Sequence, residues 1–168
     1  MDACLATAIE RLHRTGEPAS LAMLDVDHFK AVNDELGHAA GDEALKALVA
    51  VVVGRARRLD VLFRVGGEEF ALLLAGATHS DAVAVADDLR QIVAAAKFPG
   101  GRSLSISVGV SELRRDQDAL EWWSEADEAL YRAKRAGRNR VVGASVPPRV
   151  RSDRAAHRIG APRAAAGR

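Results

Sequence analysis

Two short stretches of this chain set acidic side chains where a ligand could meet them. At the end of the apolar run LAML the sequence reads Asp25-Val26-Asp27, and further on RVGGEEF (64–70) places Gly66 and Gly67 before Glu68 and Glu69. DVLF before that motif and FALLLAG after it are strand-like, so the glycine pair between them reads as a hairpin turn. Taken alone, such a turn is a hairpin tip whose glycines supply positive φ and whose acids face water. The acids gain meaning only with a partner. If the first strand lies beside the hairpin, Asp25 and Glu68 converge, and convergent carboxylates repel unless a cation sits between them. Hard oxygen ligands suit Mg²⁺, which takes one or two protein carboxylates and leaves the rest of its shell to water and phosphate oxygens. Gly66 and Gly67 would let a ligand lie directly on the backbone. DHFK begins a helix whose first N–H groups form an anion site, and Lys30, Lys134 and Arg138 add cations for phosphate. Together these residues describe a nucleoside triphosphate site built for phosphoryl or nucleotidyl transfer. No GxxxxGK[ST] run is present, so it is not a Walker site.

The elements that must position these groups are legible as an alternation of helices and strands. ATAIERLHR fits the end of an amphipathic helix closed by Gly16, SLAMLDVD (20–27) is a strand, and HFKAVNDEL is a helix stopped at Gly37. GDEALKALVAVVVGRAR is a longer helix, with Asp42 placed to cap its first turn. After the hairpin, Thr78 and Asp81 form a capping box that opens HSDAVAVADDLRQIVAAA. SLSISVGV (103–110) alternates as a strand with one buried face, ALEWWSEADEALYRAKRA is a helix ended by Gly137, and RVVG is a last short strand. The order α-β-α-α-β-β-α-β-α-β predicts a mixed sheet with helices packed against it, of α/β or α+β type.

At 168 residues and 48% hydrophobic content the folded part should be one domain with a real core. No apolar run approaches the roughly 18 residues of a membrane span, and the charged start MDACLATAIERLHR is not a signal peptide. A lone cysteine, Cys4, excludes an intramolecular disulfide and fits a reducing cytoplasm. The net charge of +1 hides a split: residues 1–148 hold 18 Lys/Arg against 22 Asp/Glu, whereas residues 149–168 hold six Arg and one Asp. The expected division is a domain over 1–145 and a disordered basic tail over 146–168. Without aromatics or periodicity the tail reads as solvated, and no nucleic-acid partner is expected.

LDVDHFKAVNDELGHAAGDEAL, RVGGEEF, SISVGV and ADEALYRAKRAGRNRV, in this order from about Leu21 to Val142, resemble the GGDEF domain of diguanylate cyclases. The resemblance implies a palm-like αβ fold similar to nucleotidyl cyclases, with a mixed central sheet and flanking helices. It implies an enzyme that condenses two GTP into cyclic di-GMP and releases two pyrophosphates. Asp25, the Val26 carbonyl and Glu68 then correspond to the ligands of Mg²⁺ (or Mn²⁺), and Asn33 and Asp42 to the guanine readers, whose amide and carboxylate suit the base's acceptors and donors. His28 and Phe29 would offer backbone N–H groups to the phosphates, with Lys30, Lys134 and Arg138 gripping the β/γ end. Glu69 would act as metal ligand or proton acceptor, and Arg64 would balance charge at the α-phosphate. Because each domain holds one substrate, turnover requires a homodimer. RRLD, with Arg57 and Asp60, resembles the RxxD product-inhibition site.

Each residue also has a plainer reading. Asn33 could be a helix-surface amide, Asp42 an N-cap, Arg57 and Asp60 an exposed helix end, and Lys134 and Arg138 last-turn cations. His38 would bond locally near a helix stop. His28 has no second His or Cys at ligand spacing. Of the adjacent Trp122 and Trp123, at most one can face the core squarely. It is the joint order along the chain that favours the functional reading. The DxLTGLxNR-like block that usually precedes the first helix of the family is not in this sequence. Two alternatives therefore stand beside the cyclase: a non-catalytic cyclic di-GMP or GTP receptor acting through Arg57 and Asp60, and an inactive truncated fragment. The intact signature acids favour the first reading, since receptor versions typically lose them.

Overall fold

The computed structural model describes residues 1–145. The expected tail over 146–168 lies outside the described residues. Ten major elements follow the predicted order: α1 (Asp2–Thr15), β1 (Ala19–Val26), α2 (Phe29–Leu36), α3 (His38–Arg55), β2 (Val61–Gly66), β3 (Glu69–Ala75), α4 (His79–Ala95), β4 (Ile106–Glu112), α5 (Ala119–Arg135) and β5 (Val141–Gly143), with one 3₁₀ turn at Pro99–Gly101. The sheet order is β2-β3-β1-β4-β5. The β1–β3, β1–β4 and β2–β3 pairs are antiparallel, and β4–β5 is parallel. The sheet is mixed, with β1 at its centre.

The period-2 geometry of β1 divides the core in two. Ala22, Leu24 and Val26 point to one side, where they meet Leu45, Leu48 and Val52 of α3 and Ala82, Ala86 and Leu89 of α4. Ala19, Leu21 and Met23 point to the other, against Leu5 and Leu12 of α1 and Trp122, Ala126 and Leu130 of α5. Helices on both faces explain why all eight β1 residues are buried, where a sheet covered on one side would show alternation. The same holds for β4, and it corrects the expectation of one buried face: Ser107, Gly109 and Ser111 are as enclosed as Ile106, Val108 and Val110. Gly109 is what lets α5 lie this close, since a Cβ there would stand 2.1 Å from the Leu130 nitrogen and 2.2 Å from the Ala126 carbonyl. Trp122 is wholly buried and donates from Nε1 to the Ser111 carbonyl at 3.0 Å, while Trp123 is half-buried at the core's margin.

Helix ends follow the residues that close them. Gly16 adopts the left-handed conformation (φ 75°) and its N–H bonds the Leu12 carbonyl. The Thr78–Asp81 capping box forms as read, and a second one, Asp118 with Glu121, opens α5. The start of α3 departs from expectation. Gly37, at φ 82° and ψ 158°, is extended in ψ and serves as both the end of α2 and the N-cap of α3. The helix therefore begins at His38, and Asp42 lies inside it rather than capping it.

Candidate active site

The site is built at one end of the central strand. The β1–β3 register runs from Ala19↔Ala75 to Asp25↔Glu69, and the Val26 N–H donates to the Glu68 carbonyl at 3.3 Å. The adjacency on which the two acidic motifs depended is thus present. In the hairpin, Arg64 pairs with Phe70 and Gly66 with Glu69, so Val65 is the extra residue of a bulge and Gly67-Glu68 form the turn. Neither Gly66 nor Gly67 has positive φ; their contribution is space. A Cβ on Gly67 would meet nothing within 4 Å, and one on Gly66 only the Glu69 Oε2 at 3.4 Å.

Asp25 points to the α5 side of the sheet, where Lys134 Nζ lies 2.7 Å from its Oδ2 and 3.9 Å from Glu69 Oε1. Burial pushes the Asp25 carboxyl above its ordinary range; Lys134 pulls it down by hydrogen bond and charge, and Glu68 and Glu69 push it up again. The raised value shows that one ammonium does not offset desolvation and two neighbouring acids. A small hard cation is the group that would. Among the described residues no group of three or more His, Cys, Asp or Glu side chains is arranged so that all could ligate one metal ion. Two carboxylates and one backbone carbonyl are nonetheless a sufficient protein share for Mg²⁺ when phosphate oxygens and water complete its shell. The donor set present fits that ion.

The other expected residues fall into three places. Around α2, His28 is the N-cap in a left-handed conformation (φ 57°), Phe29 is buried in the core, and Lys30 is exposed on the first turn. Asn33 is half-buried, and its Oδ1 sits where a Cβ on Gly41 would be, 1.9 Å away. Gly41 is a residue the sequence reading missed: only its bare Cα lets the carboxamide settle between α2 and α3. Asp42 follows on α3 and lines a cleft of about 500 Å³ with Leu45, Lys46, Arg64 and Phe70. Arg64 therefore lies on the α3 side of the hairpin, away from the Asp25 face, and donates from Nε and Nη2 to the Gly67 carbonyl at 3.1 and 2.7 Å.

At the end of α5, Arg138 is exposed and left-handed (φ 62°), followed by Asn139 at φ 43°. Asp27, only 5% exposed, accepts from Ser105 Oγ at 2.7 Å, Ser107 Oγ at 2.6 Å and the Asn139 N–H at 3.0 Å. Its partners were invisible as a set in the sequence, although SIS (105–107) does place two serines on one face of a strand. Arg57 and Asp60 stand apart from this site, between α3 and β2. There the Arg57 N–H donates to Asp60 Oδ2 at 2.7 Å and the Asp60 N–H to the Arg57 carbonyl at 2.9 Å. The Arg57 side chain is exposed and near enough to Asp81 to help lower that carboxyl, behind the larger effect of Thr78.

The family model described as diguanylate cyclase, GGDEF domain, matches residues 1–140. The chain belongs to the GGDEF family. This GGDEF chain is 41% identical over 140 residues to the diguanylate cyclase DgcP of Pseudomonas aeruginosa, covering 82% of this chain and 21% of that protein. It is 42% identical over 125 residues to the diguanylate cyclase DgcM of Escherichia coli, covering 74% of this chain and 30% of the other. It thus spans less than a third of either relative. Among solved structures, the active GGEEF domain of a diguanylate cyclase from Vibrio cholerae superposes with a TM-score of 0.80 at 33% identity, covering 86% of this chain and 96% of that one. The GGDEF domain of DgcB from Caulobacter crescentus, in complex with c-di-GMP, gives 0.80 at 31% identity over 85% and 87%. The mixed five-stranded sheet with flanking helices is therefore the fold of this GGDEF family. Among the described residues no helix is long and apolar enough to cross a membrane.

Proposed function

We propose that this chain is a diguanylate cyclase domain that condenses two GTP into cyclic di-GMP. The observation that carries the reading is the juxtaposition of Asp25 with the Glu68–Glu69 turn across the β1–β3 ladder, at a place where an ammonium is already drawn between carboxylates. The names of the relatives and the intact Gly66-Gly67-Glu68-Glu69 signature support it. Asp25, the Val26 carbonyl and Glu68 would hold Mg²⁺ (or Mn²⁺). When bound, that ion supplies positive charge at the α-phosphate and acidity at a 3′-hydroxyl.

The chain's own groups do the rest. Asn33 and Asp42 read guanine, the acid accepting from N1–H and the amino group and the amide serving the base's acceptors. Gly66 and Gly67 leave the phosphates room against the turn. The N–H groups of His28 and Phe29 face the phosphates with the positive end of α2, and Lys30, Lys134 and Arg138 take the β/γ end. For Lys134 this means exchanging Asp25 for phosphate when a cation arrives. Glu69 is the second acid at the turn, a further metal ligand or the acceptor of the hydroxyl proton. Arg64 stiffens the turn through the Gly67 carbonyl, and from there it balances charge near the α-phosphate only if it swings out of its present bond.

In each half-reaction a 3′-oxygen forms a bond to the α-phosphorus of the facing GTP while the bond to the β-phosphate oxygen breaks and pyrophosphate leaves. Two such steps close the ring. One domain holds one substrate, so two copies must face each other during turnover. Arg57 and Asp60 would form the product-inhibition site, their backbone-locked turn presenting the guanidinium to product phosphate or base. The nucleotide substrate and the lone thiol of Cys4 support a cytoplasmic location for the activity, and the basic stretch 146–168 is assigned no role.

The test is incubation of the purified chain with GTP and Mg²⁺ and identification of products by mass. Cyclic di-GMP and pyrophosphate are expected. Linear product or none would contradict the reading and favour a receptor or an inactive fragment.

A further inference from the structure

We infer that Asp27 is the positioning residue for the phosphate-gripping cations Lys134 and Arg138, fixing the left-handed loop after α5 to the end of β1. The inference rests on the cyclase reading of those two cations. Asp27 lies two residues beyond Asp25 on the same face of the sheet, yet its carboxylate is turned into the protein. Both of its oxygens are engaged, Oδ1 by Ser107 and Oδ2 by Ser105 and the Asn139 N–H. Its own N–H is spent on the Ser105 carbonyl at 2.9 Å. With 5% exposure and three donors, it is a satisfied buried anion and not a free ligand.

What it holds is a strained segment. Gly137, Arg138 and Asn139 carry positive φ in succession (112°, 62° and 43°), and the last two are side-chain-bearing residues for which that region is unfavourable. Such a run persists only when its surroundings over-determine it. Five bonds do so here: the Gly137 N–H to the Lys134 carbonyl at 3.4 Å, the Arg138 N–H to the Ala133 carbonyl at 3.1 Å, Arg140 Nε to the Arg138 carbonyl at 3.0 Å, the Asn139 N–H to Asp27, and Arg90 Nη1 to Asn139 Oδ1 at 3.1 Å. Only the Asp27 bond reaches the strand that carries Asp25. Immediately after the loop, Val108 N–H donates to the Arg140 carbonyl at 2.9 Å and β5 joins β4. Asp27 thus ties the last turn of α5, from which Lys134 projects, and the loop bearing Arg138 to the edge of the metal-binding strand. Among the described residues none of these bonds involves Asn33 or Asp42. A preorganised pair of cations is what would distinguish triphosphate binding from base binding.

The separation gives the test. Binding of inorganic tripolyphosphate and of guanosine is measured by calorimetry at saturating Mg²⁺, which frees Lys134 from Asp25, for the wild-type chain, Asp27→Ala and Asp27→Asn. Asp27→Ala is expected to weaken tripolyphosphate about tenfold, the order of one lost charge-assisted bond, while guanosine affinity stays within about twofold. Asp27→Asn retains an acceptor for Asn139 and Ser105 and an amide for Ser107, and is expected to restore most of the loss. Should Asp27→Ala not fold, the double variant Ser105→Ala/Ser107→Ala leaves the carboxylate without its hydroxyl donors and is expected to shift tripolyphosphate binding in the same direction with guanosine unchanged. Unchanged tripolyphosphate binding in these variants, or a parallel loss of guanosine, overturns the inference while leaving the cyclase reading intact. A wild-type chain that binds no tripolyphosphate and makes no cyclic di-GMP overturns that reading and the inference with it.

Discussion

Asp25 carries a carboxyl whose surroundings work against its charged form. Burial and two neighbouring glutamates raise its pKa from the ordinary 3.8, and Lys134 recovers only part of the difference. A carboxyl whose folded value lies above its unfolded one costs stability at pH above the folded value, and that cost disappears as pH falls through it towards the unfolded value. Asp25→Asn should therefore raise the melting temperature of the metal-free chain near neutral pH, with the gain shrinking as the solution is acidified, while abolishing turnover. A thermal melt series across pH checks both sign and window; a destabilised variant would show that the Lys134 pair outweighs burial. Glu68→Ala should reduce Mg²⁺-dependent cyclic di-GMP formation at least about a hundredfold, the scale on which removing a transition-state charge contact acts; wild-type rates would refute the assignment. Arg57→Ala should relieve product inhibition with the initial rate unchanged, measured by rate in the presence of added cyclic di-GMP. These residues were legible because acids, glycines and cations are chemically distinctive wherever they stand. Asp27 and Gly41 were not, because their work is to accept hydrogen bonds from another strand or to be absent where a carboxamide lies, and both depend on tertiary neighbours.

At the level of elements, alternation and capping residues fixed type and order, since each strand and helix carries its own period and stop signal. Two details were decided by packing instead. The β4 serines looked like a solvent face, but α5 covers them, and Ser107 and Ser111 satisfy Asp27, Glu125 and the Trp122 indole by side chain or backbone. The α3 start moved to His38 because Gly37 turns the chain there. Gly109 states the cost of that close helix–strand contact. Gly109→Ala would drive a methyl into the α5 backbone, and overpacking of this kind costs roughly 1–3 kcal/mol. The melting temperature should fall by several degrees, and turnover should fall further than stability explains because Lys134 rides on the displaced helix. An unchanged melt would show that α5 can slide without penalty. Gly41→Ala should act on the other side of the site, expelling the Asn33 carboxamide and weakening discrimination of GTP from ATP.

For the whole molecule, the proposed reaction would draw its two half-sites from two facing copies of the domain. Specific activity should therefore rise with chain concentration until the two-domain complex saturates, which a dilution series of initial rates will show; a strictly concentration-independent specific activity would contradict the requirement for a second copy. The proposed reaction depends on Asp25 and Glu68 holding one cation between them, two acids brought together by the β1–β3 register alone. The most direct measurement is electron paramagnetic resonance of Mn²⁺ titrated into the chain in the presence of 3′-deoxy-GTP, which fills the site and lacks the attacking hydroxyl. The wild-type chain should bind the ion, with binding lost in Asp25→Ala and in Glu68→Ala alike. Full binding retained in either variant would contradict the account.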